Sequence, residues 1–227
     1  MRILLINGSP KGEQSSTMSI TRAFIDGMSS VTKNEVQYLD VMANHIEYCR
    51  GDLSCMKNGG TCIHNDDMAQ ILRDILASEL LLFSFPLYGF GVPAPLKALL
   101  DRTLPLGSLA MRKSGDRYEH VEQADFSHLR YAVISGCGFP NAKHNFDALR
   151  LQFELRFPNG VFVLTVPEAP MFSAPEAAVV TVPFLDLVRQ AGREYALRGT
   201  VSDELMGKLS VPMIPEETYA AICNGNA

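Results

Sequence analysis

Apolar positions along this chain fall into short continuous runs, separated by stretches where they recur at helical spacing. Residues 2–7 (Arg-Ile-Leu-Leu-Ile-Asn) form the first run, and residues 79–85, 130–135 and 160–166 are further ones. A run that stays apolar at consecutive positions predicts a strand covered on both faces, as in a parallel sheet. Residues 35–40 read as a shorter strand. Between the strands, Met18, Ile20, Phe24, Ile25 and Met28 carry helical spacing over 17–29. Helices are also predicted at 67–77, from Leu96 to about Arg102, at 143–156, at 176–197 and at 202–209, before a Pro-rich finish. Asp66 and Asp67 sit where carboxylates favour a helix start. Residues 104–128 are polar and mixed in charge, and are expected to form a long loop that serves as a lid or interface piece. The β-α alternation predicts an α/β protein with a parallel sheet, right-handed crossovers and helices on both faces. In such sheets ligands bind beyond the carboxyl ends of the strands, which singles out loops 8–17, 86–91 and 136–140.

Composition narrows the function classes. The chain has 227 residues, 47% of them hydrophobic and 20% charged, enough apolar side chain for a full core. Net charge is −5, with the cations scattered rather than gathered in a stripe, so nucleic acid is not an expected partner. No apolar run reaches bilayer length, and the N-terminus lacks the pattern of a secretory leader, so neither membrane nor export is expected. Five cysteines, an odd number, fit free thiols in a reducing cytoplasm. No internal repeat or low-complexity segment is found.

The first loop reads Gly8-Ser9-Pro10-Lys11-Gly12-Glu13-Gln14-Ser15-Ser16-Thr17. It joins a strand to a helix start, where free N–H groups and the positive end of the helix dipole attract anions. Ser9, Ser16 and Thr17 offer hydroxyls and Lys11 a charge, a donor set suited to a terminal phosphate. Taken singly, Ser16 or Thr17 is equally an ordinary N-cap and Gly8-Ser9-Pro10 an ordinary turn. The Walker ending and the dinucleotide Gly-x-Gly-x-x-Gly are both missing, so a mononucleotide phosphate is the expected ligand.

Gly8-Ser9-Pro10-Lys11 with Ser16-Thr17 resembles the phosphate loop of the NAD(P)H-dependent FMN reductase and quinone reductase family, within the flavodoxin-like superfamily. Asp66-Asp67-Met68, Ser84-Phe85-Pro86-Leu87-Tyr88 with Leu96-Lys97-Ala98 and Leu100-Asp101-Arg102, and Gly136-Cys137-Gly138-Phe139 are similar to further family stretches. The resemblance covers about residues 1–200. It implies a flavodoxin-like three-layer sandwich with a five-stranded parallel sheet of order 2-1-3-4-5, and residues 201–227 as an extension packing on the domain or a partner subunit. It also implies FMN held by Ser9, Lys11, Ser16, Thr17, Met18, Pro86, Leu87, Tyr88, Gly89, Gly136, Cys137, Gly138 and Phe139. Backbone N–H groups of Leu87, Tyr88 and Gly89 would face the flavin N1–O2 edge, and Tyr88 and Phe90 would pack on or beside the ring. Cys137 is expected to be a small buried residue rather than a redox thiol. Arg102 is expected to close its helix, or to pair with Asp101 or a neighbouring chain.

Cys49, Cys55 and Cys62 lie in one loop and resemble the cysteine loop of iron–sulfur flavoproteins, but Asp52 stands at the second ligand position. Such clusters use four thiolates, so no iron–sulfur cluster is expected. Zinc held by the three cysteines with His64 or His45 lacks a standard spacing, and a metal-free loop beside the flavin is the preferred reading.

The resemblance implies a ping-pong oxidoreductase. NAD(P)H reduces the flavin and leaves, and a quinone, flavin, nitro or azo compound or metal ion then takes the electrons. The flavin carries the chemistry and no side chain need be a nucleophile. His120 and Tyr118, in the stretch 104–128, are candidates for reaching the acceptor. A homodimer or homotetramer is implied, with 104–128 and 200–227 as contact pieces. The alternative is an FMN protein, with or without a cluster, that passes electrons to a protein partner. A binding module that has lost its flavin is a third.

Overall fold

Strand burial sets the architecture. In the computed structural model, which describes residues 1–225, β1 (Arg2–Asn7), β2 (Glu35–Asp40), β3 (Leu80–Pro86), β6 (Arg130–Gly136) and β7 (Phe162–Val166) form a parallel sheet. Its order is β2-β1-β3-β6-β7. With the inserted hairpin strands set aside, this is the 2-1-3-4-5 order expected.

Alternate residues of each strand feed opposite cores, as the two-residue period of a strand requires. Ile3, Leu5, Leu80, Leu82, Ala132 and Ile134 face α1 (Ser16–Ser29) and α6 (Ala178–Arg198). Leu4, Ile6, Leu81, Phe83 and Val133 face α3 (Met68–Ala77), α4 (Ala94–Asp101) and α5 (Asp147–Arg156). On the first face α1 and α6 meet backbone to backbone. A Cβ on Gly27 would lie 1.9 Å from the Arg189 carbonyl oxygen, and one on Gly192 2.0 Å from that of Phe24.

Three segments differ from expectation. Residues 104–128 are not a plain loop: a short turn at Leu104–Leu106 leads into a hairpin of β4 (Gly107–Ser114) and β5 (Arg117–Glu122). Both faces of this ribbon are largely exposed, Leu109, Met111 and Tyr118 included, so its apolar residues do not fall into the alternation that announces a half-buried strand. Its turn cue, Gly115 at φ +63° followed by Asp116, is the kind that closes a two-residue hairpin. The cysteine loop contains one short helical turn, α2 (Ser54–Lys57).

The finish of the chain is the third. Beyond α7 (Asp203–Leu209) it folds into α8 (Glu216–Cys223). Leu205 and Leu209 enter the first core and Tyr219 is buried, so the tail packs on its own domain. No helix among the described residues is long and apolar enough to cross a membrane.

Candidate functional site

At the carboxyl edge of the sheet, the loops after β1, β3, β6 and β7 enclose a cavity of about 230 Å³. Ser9, Lys11, Ser16, Thr17, Pro86, Leu87, Tyr88, Gly136, Cys137 and Gly138 line it, all singled out in the sequence. The rest of the wall is Ser15, Ala169, Pro170 and Ser173. Among the described residues no carboxylate lines it.

The first loop is built to leave donors free. Asn7, fully buried, accepts from the Ser9 amide at 3.0 Å and donates to the Tyr38 hydroxyl at 2.8 Å, which fixes the chain as it leaves β1. The Lys11, Gly12, Gln14 and Ser15 amides are spent inside the loop. Ser15, rather than Ser16 or Thr17, is the N-cap of α1: its hydroxyl accepts from the Met18 amide at 3.1 Å. That leaves the Ser16 and Thr17 amides in the first helical turn, where no intrahelical acceptor exists. Ser16 Oγ shares a hydrogen bond of 2.7 Å with Ser173 Oγ. Thr17 is nearly buried, and its hydroxyl takes part in no hydrogen bond among the described residues. A Cβ on Gly136 would stand 2.6 Å from the Ala169 side chain and 3.5 Å from Thr17 Oγ1, so only glycine admits this close approach of the loops.

The second loop departs from expectation in its amides. Leu87 donates its N–H to the Gly136 carbonyl at 2.8 Å, tying the second and third loops together. Tyr88 and Gly91 exchange backbone hydrogen bonds of 3.1 and 3.0 Å around Gly89 at φ +55° and Phe90 at φ +62°. Positive φ at both central residues defines a type I′ turn, in which the Tyr88 N–H is consumed. The Leu87 and Tyr88 amides are therefore not available to a flavin edge, and only Gly89 keeps its own among the described residues. The turn also forces Phe90, a bulky residue, into the left-handed region, a local strain that holds its ring out on the rim. There it stacks on Phe139, with ring centroids 6.0 Å apart.

Three expected contacts fall outside the cavity wall. Met18 is buried in the first core, and its amide is taken by Ser15, so it has nothing left to offer a ligand. Gly89 and Phe139 stand at the rim. Cys137 is 4% exposed, and burial pushes its thiol pKa up, which fits a packing role. His120 faces a different cavity, described below, and Tyr118 is exposed on the hairpin.

Behind the third loop, Glu168 was not foreseen. It is fully buried at φ +55°, its amide donates to the Phe139 carbonyl, and its carboxylate accepts from the Met213 amide at 2.6 Å and the Ile214 amide at 3.4 Å. Burial raises its pKa against the lowering effect of those two amides. Glu168 thus pins the chain tail to the loop that carries Ala169 and Pro170. As an ordinary glutamate after a strand, it gave no sequence signal beyond its position at the carboxyl edge.

The cysteine loop is held from beneath by an ion pair of the second core. Arg102 Nη1 and Nη2 donate to the Asp66 carboxylate at 2.6 and 3.0 Å, and both side chains are almost fully buried. Asp101, the partner considered from sequence, is bound instead by Lys97 at 2.6 Å. Arg102 also donates to the Glu47 carbonyl at 2.7 Å and reaches Cys62 Sγ at 3.5 Å. Cys55 is buried, whereas Cys49 is exposed, and no group of three His, Cys, Asp or Glu among the described residues is arranged to hold a metal. Asp52 accepts from the Ser54 amide at 2.8 Å, as the cap of a turn.

A profile of the flavodoxin-like fold matches residues 1–155, and the chain belongs to that family. It is similar to an iron–sulfur flavoprotein of Clostridioides difficile, 31% identical over 115 residues that cover 50% of this chain and 51% of that protein. It is also similar to an FMN-dependent NADH:quinone oxidoreductase of Methylocella silvestris, 29% identical over 115 residues that cover 47% of this chain and 56% of that protein. The matched segments thus span about half the length of these relatives. Among solved structures, an FMN-dependent NADH-azoreductase of Bacillus anthracis in complex with FMN superposes with a TM-score of 0.62 at 15% identity, over 86% of this chain and 100% of that one. At that identity the likeness speaks for the fold.

Proposed function

We propose that the protein is an FMN-dependent oxidoreductase that takes reducing equivalents from NAD(P)H and passes them to a small organic acceptor of the quinone or azo class. One observation carries the reading. Around the start of α1, the Ser16 and Thr17 amides, the Ser9, Ser16 and Thr17 hydroxyls and the Lys11 side chain converge on a cavity that is lined by no carboxylate among the described residues. A phosphate monoester needs several donors and positive potential, and this set supplies both. The aromatic rim of Tyr88, Phe90 and Phe139 lies next to that cradle, where a flat ring attached to the phosphate chain would be held. The names of the relatives, FMN-dependent quinone oxidoreductases among them, support the same choice.

Bound there, FMN would supply the hydride and electron transfer. The chain's own part is to bind and orient. The α1 start and Lys11 hold the phosphate, the Gly136 loop closes over the neighbouring chain, and Cys137 keeps that wall apolar. Phe90 and Phe139 leave an exposed face, open to a donor and then to an acceptor in turn. Initial rates against acceptor at several NADH concentrations are expected to give parallel lines, the sign of two half-reactions sharing one site.

The test is an absorption spectrum of anaerobically purified protein after FMN loading and gel filtration. Twin flavin bands that stay with the protein and bleach on addition of NADH or NADPH are the expected result. Loss of all flavin on the column overturns the cofactor assignment. Retained flavin that bleaches only with dithionite overturns the pyridine-nucleotide step and favours an electron-transfer flavoprotein.

A further inference from the structure

A second cavity is larger than the cradle. A void of about 590 Å³ lies on the second face of the sheet, between the carboxyl ends of α4 and α5 and the β4–β5 hairpin, and shares no lining residue with the cradle. Its walls are mainly apolar, including Leu81, Phe83, Leu100, Leu129 and Phe157. Its size is that of a small-molecule site, and so is its make-up of apolar walls with a few polar groups.

One polar group gives the void a chemical direction. Arg156 ends α5 at its rim and donates Nη2 to the Leu100 carbonyl at 3.0 Å and to Thr103 Oγ1. Its Nε and Nη1 make no hydrogen bond, and it has no carboxylate partner, among the described residues. Packing around the guanidinium lowers its pKa, while the residue as a whole stays exposed at the mouth of the void. Two carboxylates share the wall, Asp101 and Glu122, and neither makes an ion pair with Arg156 among the described residues, although the Asp101 charge favours its charged form. Asp101 is held by Lys97 at 2.6 and 2.8 Å, and Glu122 adds to the rise of the Tyr131 pKa, which burial pushes up to about 12. A partly desolvated guanidinium with two idle donors beside an apolar wall is a site for an anion that carries an apolar body.

We propose that this second cavity binds a small apolar anion, a carboxylate or sulfonate on an aromatic or aliphatic frame, with Arg156 holding the charged group and the Leu81, Leu100 and Leu129 side chains holding the body. The site is independent of the flavin assignment.

Full-length protein titrated with anilinonaphthalene sulfonate, with and without excess FMN, tests this. The expected result is saturable fluorescence from one site per chain, unchanged by FMN. Arg156→Gln should weaken the sulfonate about tenfold, the loss of one charge-assisted hydrogen bond, while the uncharged phenylnaphthylamine binds as before. Leu129→Trp, which leaves Arg156 in place and fills the void, should abolish both probes with unchanged circular dichroism. Displacement of the sulfonate by FMN, equal affinity in Arg156→Gln, or survival of either probe in Leu129→Trp would each overturn the proposal.

Discussion

Asp66 and Glu168 are buried carboxylates that fix loops by accepting backbone amides, one under the cysteine loop and one behind the cradle. Asp66 accepts from the Glu47 and Met68 amides at 2.9 and 3.2 Å, Glu168 from those of Met213 and Ile214. The difference is a cation. Asp66 has Arg102 in direct contact, and although burial pushes its pKa up, the Arg102 hydrogen bonds and the amides more than offset this and leave it below the ordinary value. Glu168 has no cation among its charged neighbours, and burial wins. Identical work on the backbone thus gives opposite electrostatics. The cysteine loop rests on a charged tether, the cradle wall on a carboxyl group that resists ionisation.

The sharpest way to break this comparison is to remove the cation. Arg102→Met leaves Asp66 buried without its partner, and an uncompensated buried charge of this kind costs about 3–5 kcal/mol. Urea unfolding is expected to show a loss of that size. Limited proteolysis is expected to cut within 45–66, because the Glu47 and Cys62 contacts go with Arg102. A loss under about 1 kcal/mol would mean that Asp66 finds water or protonates, and that the tether is not what holds the loop.

How far each region can be read from sequence follows from the range of its interactions. The sheet is legible because Ile3–Ile6 and Leu80–Phe83 are buried on both faces and are apolar at every position. The cradle is legible in part, because Ser9, Lys11, Ser16 and Thr17 sit where a strand runs into a helix, a local pattern. Ala169, Pro170 and Ser173 are not, since nothing in their residue types marks a site. Only the strand order brings the loop after β7 to the same edge. The Asp66–Arg102 pair is illegible for a stronger reason: its members are 36 positions apart, and nearer charges such as Asp101 look like better partners. The hairpin is hidden because neither of its faces is consistently buried.

A second experiment sharpens the contrast from the cradle side. Replacing Ser9 and Thr17 together by Ala removes two hydroxyls from the phosphate cradle but no fold-bearing cation. FMN affinity is expected to fall by about 1–3 kcal/mol, the worth of lost charge-assisted hydrogen bonds, with urea stability nearly unchanged. Equilibrium dialysis measures the first. Undiminished affinity in the double variant would remove the phosphate from this loop.

The smallest effect separates the two carboxylates by pH. Asp66 has a folded-state pKa below its unfolded value, so its contribution is complete above the ordinary aspartate value of about 3.9 and is lost as pH falls through the folded pKa. Glu168 has the opposite sign. Its folded pKa lies above the ordinary glutamate value of about 4.3, so the folded state holds this proton longer, and stability drains away as pH rises through that window. Glu168→Gln removes that titration while keeping an oxygen to accept from Met213, at the cost of an amide group facing the Ile214 N–H. At neutral pH the exchange is expected to change stability by about 1 kcal/mol or less, near the net worth of one hydrogen bond. As pH is lowered toward the ordinary glutamate value, the wild type should gain on the variant, because only the wild type recovers stability by protonating. Urea midpoints for the two proteins at a series of pH values measure the difference. A gap that stays constant with pH would mean that Glu168 is charged as readily in the folded chain as in the unfolded one, and that the cradle wall rests on an ordinary carboxylate.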